Sequence, residues 1–67
     1  MKITIVQTAK LIGKSPEYVR YGLRSGELGF GSAVGMPSGK YSYHVSENKL
    51  ADYMGMTIEQ MLEVLYE

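Results

Sequence analysis

The sequence predicts a small α+β domain in which two short helices joined by a tight turn precede a β-hairpin and two more short helices. Three observations support this fold class: helix-capping residues recur four times, residues 41–45 alternate strictly in polarity, and a glycine-rich stretch precedes them. A chain of 67 residues has room for one domain, which buries roughly 60% of the surface exposed in its unfolded form. We take 1–67 as that domain, with a core motif at 1–55 and an amphipathic acidic helix at 56–67.

The first helix is predicted from its two ends and its apolar spacing. Thr4 and Gln7 form a capping-box pattern, in which the Thr4 hydroxyl accepts from the Gln7 N–H and the Gln7 side chain reaches back. Gly13 suits the left-handed residue just past a helix end. The expected inward face is Ile5, Ala9 and Ile12. Leu11 lies off that face, so another element must cover it.

The second helix is bounded still more sharply. Ser15 is a favourable N-cap, Pro16 occupies the first helical position without losing a hydrogen bond, and Gly26 ends the helix. The inward side carries Pro16, Val19 and Leu23; the outward side carries Glu17, Tyr21 and Arg24, flanked by Tyr18 and Arg20. Because only residues 13–15 separate the two helices, the pair has the layout of a helix-turn-helix.

A β-hairpin is predicted for the middle of the chain. The strand at 41–45 places Tyr41, Tyr43 and Val45 on one face and Ser42 and His44 on the other. Its partner strand is assigned to residues 28–34, where glycines reduce the strand preference. Residues 35–40 form an exposed tip by composition.

Two further helices complete the predicted fold. Ser46 caps the third helix and Gly55 ends it, and Thr57 with Gln60 repeats the capping box at the start of the fourth. The apolar stripe of the third is Leu50, Tyr53 and Met54, and that of the fourth is Ile58, Met61, Leu62 and Leu65. The fourth also carries an acidic stripe of Glu59, Glu63 and Glu67, which is either a solvated face or a surface for a basic partner.

Charge is distributed unevenly although the formal net charge is zero. Residues 1–49 hold seven basic and three acidic residues, a net of +4, and residues 50–67 hold four acidic residues and no basic one, a net of −4. Such asymmetry is informative about partners, with chance clustering in a short chain as the alternative.

Several classes of protein are disfavoured. The chain has no cysteine, so disulfides and thiolate metal sites are excluded, and a lone His44 gives no metal site. No apolar run approaches the roughly 20 residues of a membrane span, so we expect a cytoplasmic protein without a membrane partner. We expect no enzyme, because neither paired carboxylates near a nucleophile nor a Ser–His–acid set is supported. Residues 29–35 contain glycines without the strand–helix context of a dinucleotide site.

Residues 8–28, TAKLIGKSPEYVRYGLRSGEL, resemble the small winged-helix DNA-binding proteins of the excisionase type, which are related to the DNA-binding domain of MerR-type regulators. The matching positions are Ala9, Ile12, Gly13, Ser15, Pro16, Val19, Arg20, Ser25, Gly26 and Leu28. Residues 41–55, YSYHVSENKLADYMG, resemble the second wing strand and the helix after it. The resemblance covers residues 3 to about 55. Gly22, where the family usually has a large residue, and the long glycine-rich wing depart from it.

The resemblance implies a winged helix-turn-helix that binds double-stranded DNA sequence-specifically, with the second helix in the major groove and the wing against backbone or minor groove. It also implies an excisionase-like architectural role in a phage or mobile element, with an integrase (recombinase) or a second copy on adjacent DNA sites as further partners and no cofactor. The candidate DNA-binding residues are Lys14, Ser15, Glu17, Tyr18, Arg20, Tyr21, Arg24, Ser38 and Lys40.

The chemistry of these residues agrees in part with that role. Arg20 and Arg24 suit phosphate or guanine O6 and N7, and Tyr21 suits phosphate or a thymine methyl group. Glu17 repels phosphate but accepts from cytosine N4. Lys14 lies at the turn, where a helix N-terminus favours a phosphate.

Other interpretations stay open. Arg20 and Arg24 can be ordinary solvated charges. Tyr18 can be partly buried against the wing, and Tyr41 and Tyr43 can be packing residues of the core or the wing. At the level of function, the alternatives are a small MerR-like transcription regulator and an adaptor that binds protein with the same fold, since near-zero net charge gives DNA binding a weak electrostatic basis.

Overall fold

Four helices and one two-stranded antiparallel sheet make up residues 2–66, the part of the chain that the computed structural model describes. The helices are α1 (Ile5–Ile12), α2 (Pro16–Ser25), α3 (Glu47–Met54) and α4 (Ile58–Leu65), and the strands are β1 (Gly31–Gly35) and β2 (Tyr41–Val45). The chain order is α1, α2, β1, β2, α3, α4. This confirms the predicted α+β class and element order, and it is compatible with a winged-helix-like arrangement.

Side-chain caps begin each of these helices at the residue that the sequence predicts. In α1, the Gln7 N–H donates to Thr4 Oγ1 at 3.1 Å and the Thr4 N–H donates to Gln7 Oε1 at 3.0 Å. In α2, the Tyr18 N–H donates to Ser15 Oγ at 3.1 Å. Ser46 and Thr57 cap α3 and α4 in the same way. Because a cap contributes about 1 kcal/mol, local sequence alone places these helix starts.

The hydrophobic core draws buried side chains from the four helices and β2, and Ala33 of β1 packs against it. Its most deeply buried members are Val19 of α2, Phe30 of the segment before β1, Leu50 of α3 and Met61 of α4. Ala9 and Leu11 of α1 and Val45 of β2 complete the contact between the helices and the hairpin. The fold is thus one core with the helices on one side and the hairpin extending from it.

The buried faces of α1 and α3 differ from the predicted ones. In α1, Thr8, Ala9 and Leu11 are buried, whereas Ile5 and Ile12 are only half-buried. The reason is that α1 packs against both α2 and α4, which widens its inward side and supplies the cover that Leu11 needs. The Thr8 hydroxyl donates to the Thr4 carbonyl at 2.8 Å, so its burial leaves no polar group unpaired.

In α3, Ala51 takes an inward position beside Leu50, and Tyr53 is 58% exposed. The Tyr53 ring still meets Phe30 edge-on, with 5.2 Å between ring centroids. The predicted stripe is therefore wrong at Tyr53, whose ring covers the core at one edge and faces solvent elsewhere.

The first strand begins three residues later than predicted. Residues 28–30 form a turn, in which Leu28 and Phe30 are buried and the Leu28 N–H donates to the Gly22 carbonyl of α2 at 3.2 Å. The Phe30 carbonyl accepts from the Ser46 N–H at 2.7 Å. Because these bonds tie residues 28–30 to α2 and to the start of α3, the ladder begins only at the Gly31–Val45 pair.

The second strand has the predicted alternation and the tip is exposed. Val45 is buried and Tyr43 is half-buried, while Ser42 and His44 face solvent. The ladder runs from the Gly31–Val45 pair to the Gly35–Tyr41 pair, so Gly35 belongs to β1 and the tip is 36–40 where the sequence predicts 35–40. No helix within residues 2–66 has the length and apolar character that crossing a membrane demands.

Candidate nucleic-acid interface

The outward surface of α2 has two flanks of different chemistry. At about 100° per residue, Arg20 and Arg24 project within about 40° of each other, and we call this pair the arginine flank. Tyr18 and Tyr21 project on the other side, and we call this pair the tyrosine flank. Glu17 lies between the flanks. Val19 and Leu23 point inward and are buried, as the sequence predicts, and Pro16, the third predicted inward residue, is half-buried.

Arg20 is engaged in a salt bridge on its own helix. Its Nη1 donates to Glu17 Oε1 at 2.7 Å, with the two side chains 36% and 82% exposed. Such an exposed pair one turn apart contributes only about 0.2–0.5 kcal/mol. Breaking this salt bridge, so that the guanidinium can bind a phosphate or a base, therefore costs little free energy. While the salt bridge is formed, Arg20 partly neutralises the Glu17 carboxylate.

Arg24 connects the helix to the hairpin. Its guanidinium carbon lies 5.2 Å from the centroid of the Tyr41 ring, a cation–π contact worth about 0.5–1 kcal/mol at an exposed position. The ring of Tyr43 lies next in line, 6.3 Å from Tyr41 between centroids. Among the described residues Arg24 has no carboxylate partner. Its N–H donors are consequently available to an external acceptor while the ring fixes the side chain.

The hairpin tip carries the remaining predicted contacts. Ser38 and Lys40 are exposed, as is every residue from 34 to 42. The Gly39 N–H donates to the Met36 carbonyl at 2.9 Å, and the Met36 N–H donates to the Lys40 carbonyl at 2.7 Å. Two backbone bonds thus shape the tip, and Lys40 directly precedes Tyr41, the residue that Arg24 contacts.

The turn between α1 and α2 presents Lys14 beside the tyrosine flank. The Lys14 N–H donates to the Ala9 carbonyl at 3.0 Å, and its ammonium lies 5.3 Å from the centroid of the Tyr18 ring. The Ser15 hydroxyl oxygen caps α2 but keeps its own hydrogen for an acceptor. Lys14 and Ser15 are thus both exposed at this turn. The cap occupies the Tyr18 N–H, so that backbone donor at the start of α2 is not free to bind a phosphate.

A groove of about 630 Å³ runs along the tyrosine flank. Its lining residues are Ser15, Glu17, Tyr18, Tyr21, Gly22, Glu27, Leu28 and Tyr53. Tyr18 is 47% exposed and lines this groove together with Leu28 and Tyr53 of α3. The interpretation in which Tyr18 packs against the wing is not supported, because no residue of the hairpin strands lines the groove.

The nine predicted site residues therefore lie on two different surfaces, with Lys14 at the turn beside one of them. Arg20 and Arg24 lie on the side of α2 that contacts the hairpin, which also carries Ser38 and Lys40. The other members, apart from Lys14 at the turn, line the groove. Periodicity within α2 does not reveal Tyr53, Glu27 or Leu28 as neighbours of this surface, because they belong to other segments of the chain.

No protein-family model, curated protein or solved structure matches this chain. The case for a function thus depends on the chemistry of these two flanks.

Proposed function

We propose that the chain is a winged helix-turn-helix protein that binds double-stranded DNA sequence-specifically through the arginine flank of α2 and the adjoining hairpin. The observation that carries this proposal is the contact of Arg24 with Tyr41. It joins a short, exposed helix and an exposed hairpin into one surface on which Arg20, Arg24 and Lys40 present positive charge.

Dimensions and side-chain chemistry favour α2 as the element that enters the major groove. An α-helix with its side chains is about 10–12 Å in diameter, which fits the major groove of B-DNA, about 12 Å wide. The bidentate preference of a guanidinium for guanine O6 and N7 gives Arg24 the means to read sequence. The hairpin then lies beside the helix, where Lys40 meets phosphates and Ser38 donates to them.

An excisionase-type architectural role is the form of DNA binding that we favour, in which the protein bends DNA and assists an integrase. A small transcription regulator that occludes a promoter uses the same surface without a bend. A circular-permutation gel separates the two roles once a binding site has been selected from a pool of random duplexes. Position-dependent mobility supports the architectural role, and uniform mobility supports the regulator.

The decisive experiment compares two charge-removing variants. Fluorescence anisotropy with labelled duplexes of the selected site, at about 50 mM salt, measures affinity for wild type, Arg24→Gln and Lys49→Gln. Arg24→Gln removes a contact to a base or phosphate and should weaken binding by about 1–3 kcal/mol, with little change in melting temperature.

Lys49→Gln is the matched control, because it removes the same charge from an exposed position on α3. Its affinity should stay close to that of wild type. If no duplex binds at about 50 mM salt, DNA binding is wrong; if both variants lose affinity equally, the arginine flank is not the interface.

A further inference from the structure

We propose that the groove on the tyrosine flank binds an arginine side chain of a partner polypeptide. The groove lies on the opposite flank of α2 from Arg20 and Arg24, so this inference does not depend on DNA binding. Three features carry it: the aromatic walls, the charge of the rim and the rigidity of the floor.

The walls are three phenol rings from two separate helices. Tyr18 and Tyr21 come from α2, and Tyr53 comes from α3 across the groove. A volume of about 630 Å³ lies within the range of about 300–1,000 Å³ that is usual for binding pockets. Aromatic faces carry negative potential and attract cations, above all flat ones that stack on them.

The rim is acidic. Glu17 and Glu27 are the charged residues among those that line the groove, and Glu27 forms no ion pair with any residue in the 2–66 range. Carboxylates at this spot repel a DNA phosphate but attract a guanidinium, which they bind through two parallel hydrogen bonds. Because Glu17 is already paired with Arg20, Glu27 is the carboxylate that can favour a cation over a nucleic acid at this groove.

One cation of the chain already lies against a ring of the tyrosine flank. The Lys14 ammonium lies 5.3 Å from the Tyr18 ring centroid, although Lys14 does not line the groove. Arginine suits the groove better than lysine does, because its planar guanidinium both stacks on rings and forks to a carboxylate. The same Lys14 charge repels an incoming cation. Removal of this charge should therefore strengthen binding of an arginine and not weaken it.

The floor is preformed. The backbone of Gly22 lies directly under the buried Leu28 side chain, and Tyr53 is held edge-on against Phe30. The floor and the Tyr53 ring are therefore positioned before a ligand arrives, which lowers the entropic cost of binding.

The test is a ¹H–¹⁵N NMR titration of the full chain with two tripeptides that differ in one charge. The probe is N-acetyl-Gly-Arg-Gly-amide, and the control replaces arginine by citrulline, its neutral isostere. The arginine peptide should cause saturable shifts at the amides of Gly22, Glu27 and Tyr53, and the citrulline peptide should bind at least ten-fold more weakly. Equal binding of the two peptides, or shifts confined to other regions, overturns the proposal.

Variants test the roles of single side chains. Glu27→Gln should weaken binding of the arginine peptide about three- to ten-fold, while the matched Glu63→Gln, on the exposed face of α4, should leave it unchanged. Tyr53→Phe should retain binding and Tyr53→Ala should abolish it. If Tyr53→Ala melts before it can be assayed, the Glu27→Gln result decides.

Lys14→Gln separates this proposal from the DNA proposal. Removal of the competing ammonium should raise the affinity for the arginine peptide about two- to five-fold and should lower the affinity for duplex DNA. Loss of affinity for both ligands contradicts the inference drawn here. If a duplex, and not the arginine peptide, shifts the groove amides, the groove belongs to a nucleic-acid surface and the proposal is overturned.

Discussion

Gly22 shows how one residue joins helix α2 to the segment that follows it. A Cβ at this position would approach Leu28 Cγ to 2.5 Å and come closer still to Leu28 Cδ1. Glycine in a helix interior costs about 1 kcal/mol relative to alanine. Burial of Leu28, which is only 6% exposed, contributes about 1.5–3 kcal/mol in return. The departure of Gly22 from the excisionase-type pattern is thus explained by close packing.

Gly22→Ala should destabilise the protein despite its gain in helix propensity. Overpacking against Leu28 costs about 1–3 kcal/mol and the propensity gain is about 1 kcal/mol, so we expect a net loss of up to about 2 kcal/mol. The midpoint of urea unfolding measures this loss.

Gly29→Ala is the matched control, because its added methyl group meets no atom within 4 Å. It should be neutral or slightly stabilising, by up to about 1 kcal/mol. A Gly22→Ala protein more stable than wild type would show that Leu28 moves aside freely.

Helix α4 illustrates how an element depends on the rest of the fold. Eight residues are too few for a stable isolated helix, for which about 12–15 are needed. The helix is held by Met61, which is fully buried, and by Ile58 and Leu65, which pack against the core. Its Glu59 and Glu63 remain exposed, and Glu67 of the predicted acidic stripe lies outside the described residues.

Met61→Ala should cost about 2–5 kcal/mol of unfolding free energy, because the cavity opens inside a cluster contributed by several elements. Met36→Ala makes the same chemical change at the half-exposed hairpin tip and should stay within about 0.5 kcal/mol of wild type. Thermal or urea unfolding of the two variants gives the comparison. Similar effects for both would mean that α4 is not anchored by Met61.

The ends of the helices were predictable from sequence, whereas the start of β1 was not and the buried faces were predictable only in part. Thr4 and Ser15 act through bonds to residues within one turn, and Gly26 acts through its own left-handed backbone conformation, so local chemistry places helix boundaries. The burial of Leu11 and the exposure of Tyr53 depend on which elements pack alongside, information that no single segment contains. The late start of β1 has the same origin, since the backbone bond from Leu28 to Gly22 is a contact between elements.

The same limit applies to the candidate site. The outward side chains of α2 followed from helical periodicity within ten consecutive residues. The contact of Arg24 with Tyr41 could not be predicted in this way, because it depends on where the hairpin lies relative to the helix. The groove could not be predicted either, since Tyr53 and Glu27 come close to Tyr18 only in the folded chain.

At the scale of the whole molecule, the net charge is zero, so the proposed DNA binding must depend on the local distribution of charge. A neutral protein has no long-range attraction to DNA, and at 0.1 M salt the Debye length is about 10 Å. Only charges close to the phosphates therefore matter. The four candidates are Lys14, Arg20, Arg24 and Lys40, and the excess acidity of residues 50–67 acts only as a weak, screened repulsion.

The salt dependence of DNA affinity should accordingly report these local contacts. Four neutralised phosphates give a slope of about −3.6 in a plot of log K against log salt concentration, so affinity should fall about 100-fold between 50 and 200 mM salt. Arg24→Gln should reduce the magnitude of the slope by about 1, because one fewer counterion is released.

The double variant Glu59→Gln/Glu63→Gln provides the contrast. It raises the net charge by two but adds no phosphate contact, so it should raise affinity slightly at low salt and steepen the slope by much less than about 1. Anisotropy titrations at four salt concentrations measure both quantities. A slope that steepens in this variant as much as it flattens in Arg24→Gln would mean that overall charge, and not the arginine flank with its hairpin, determines binding.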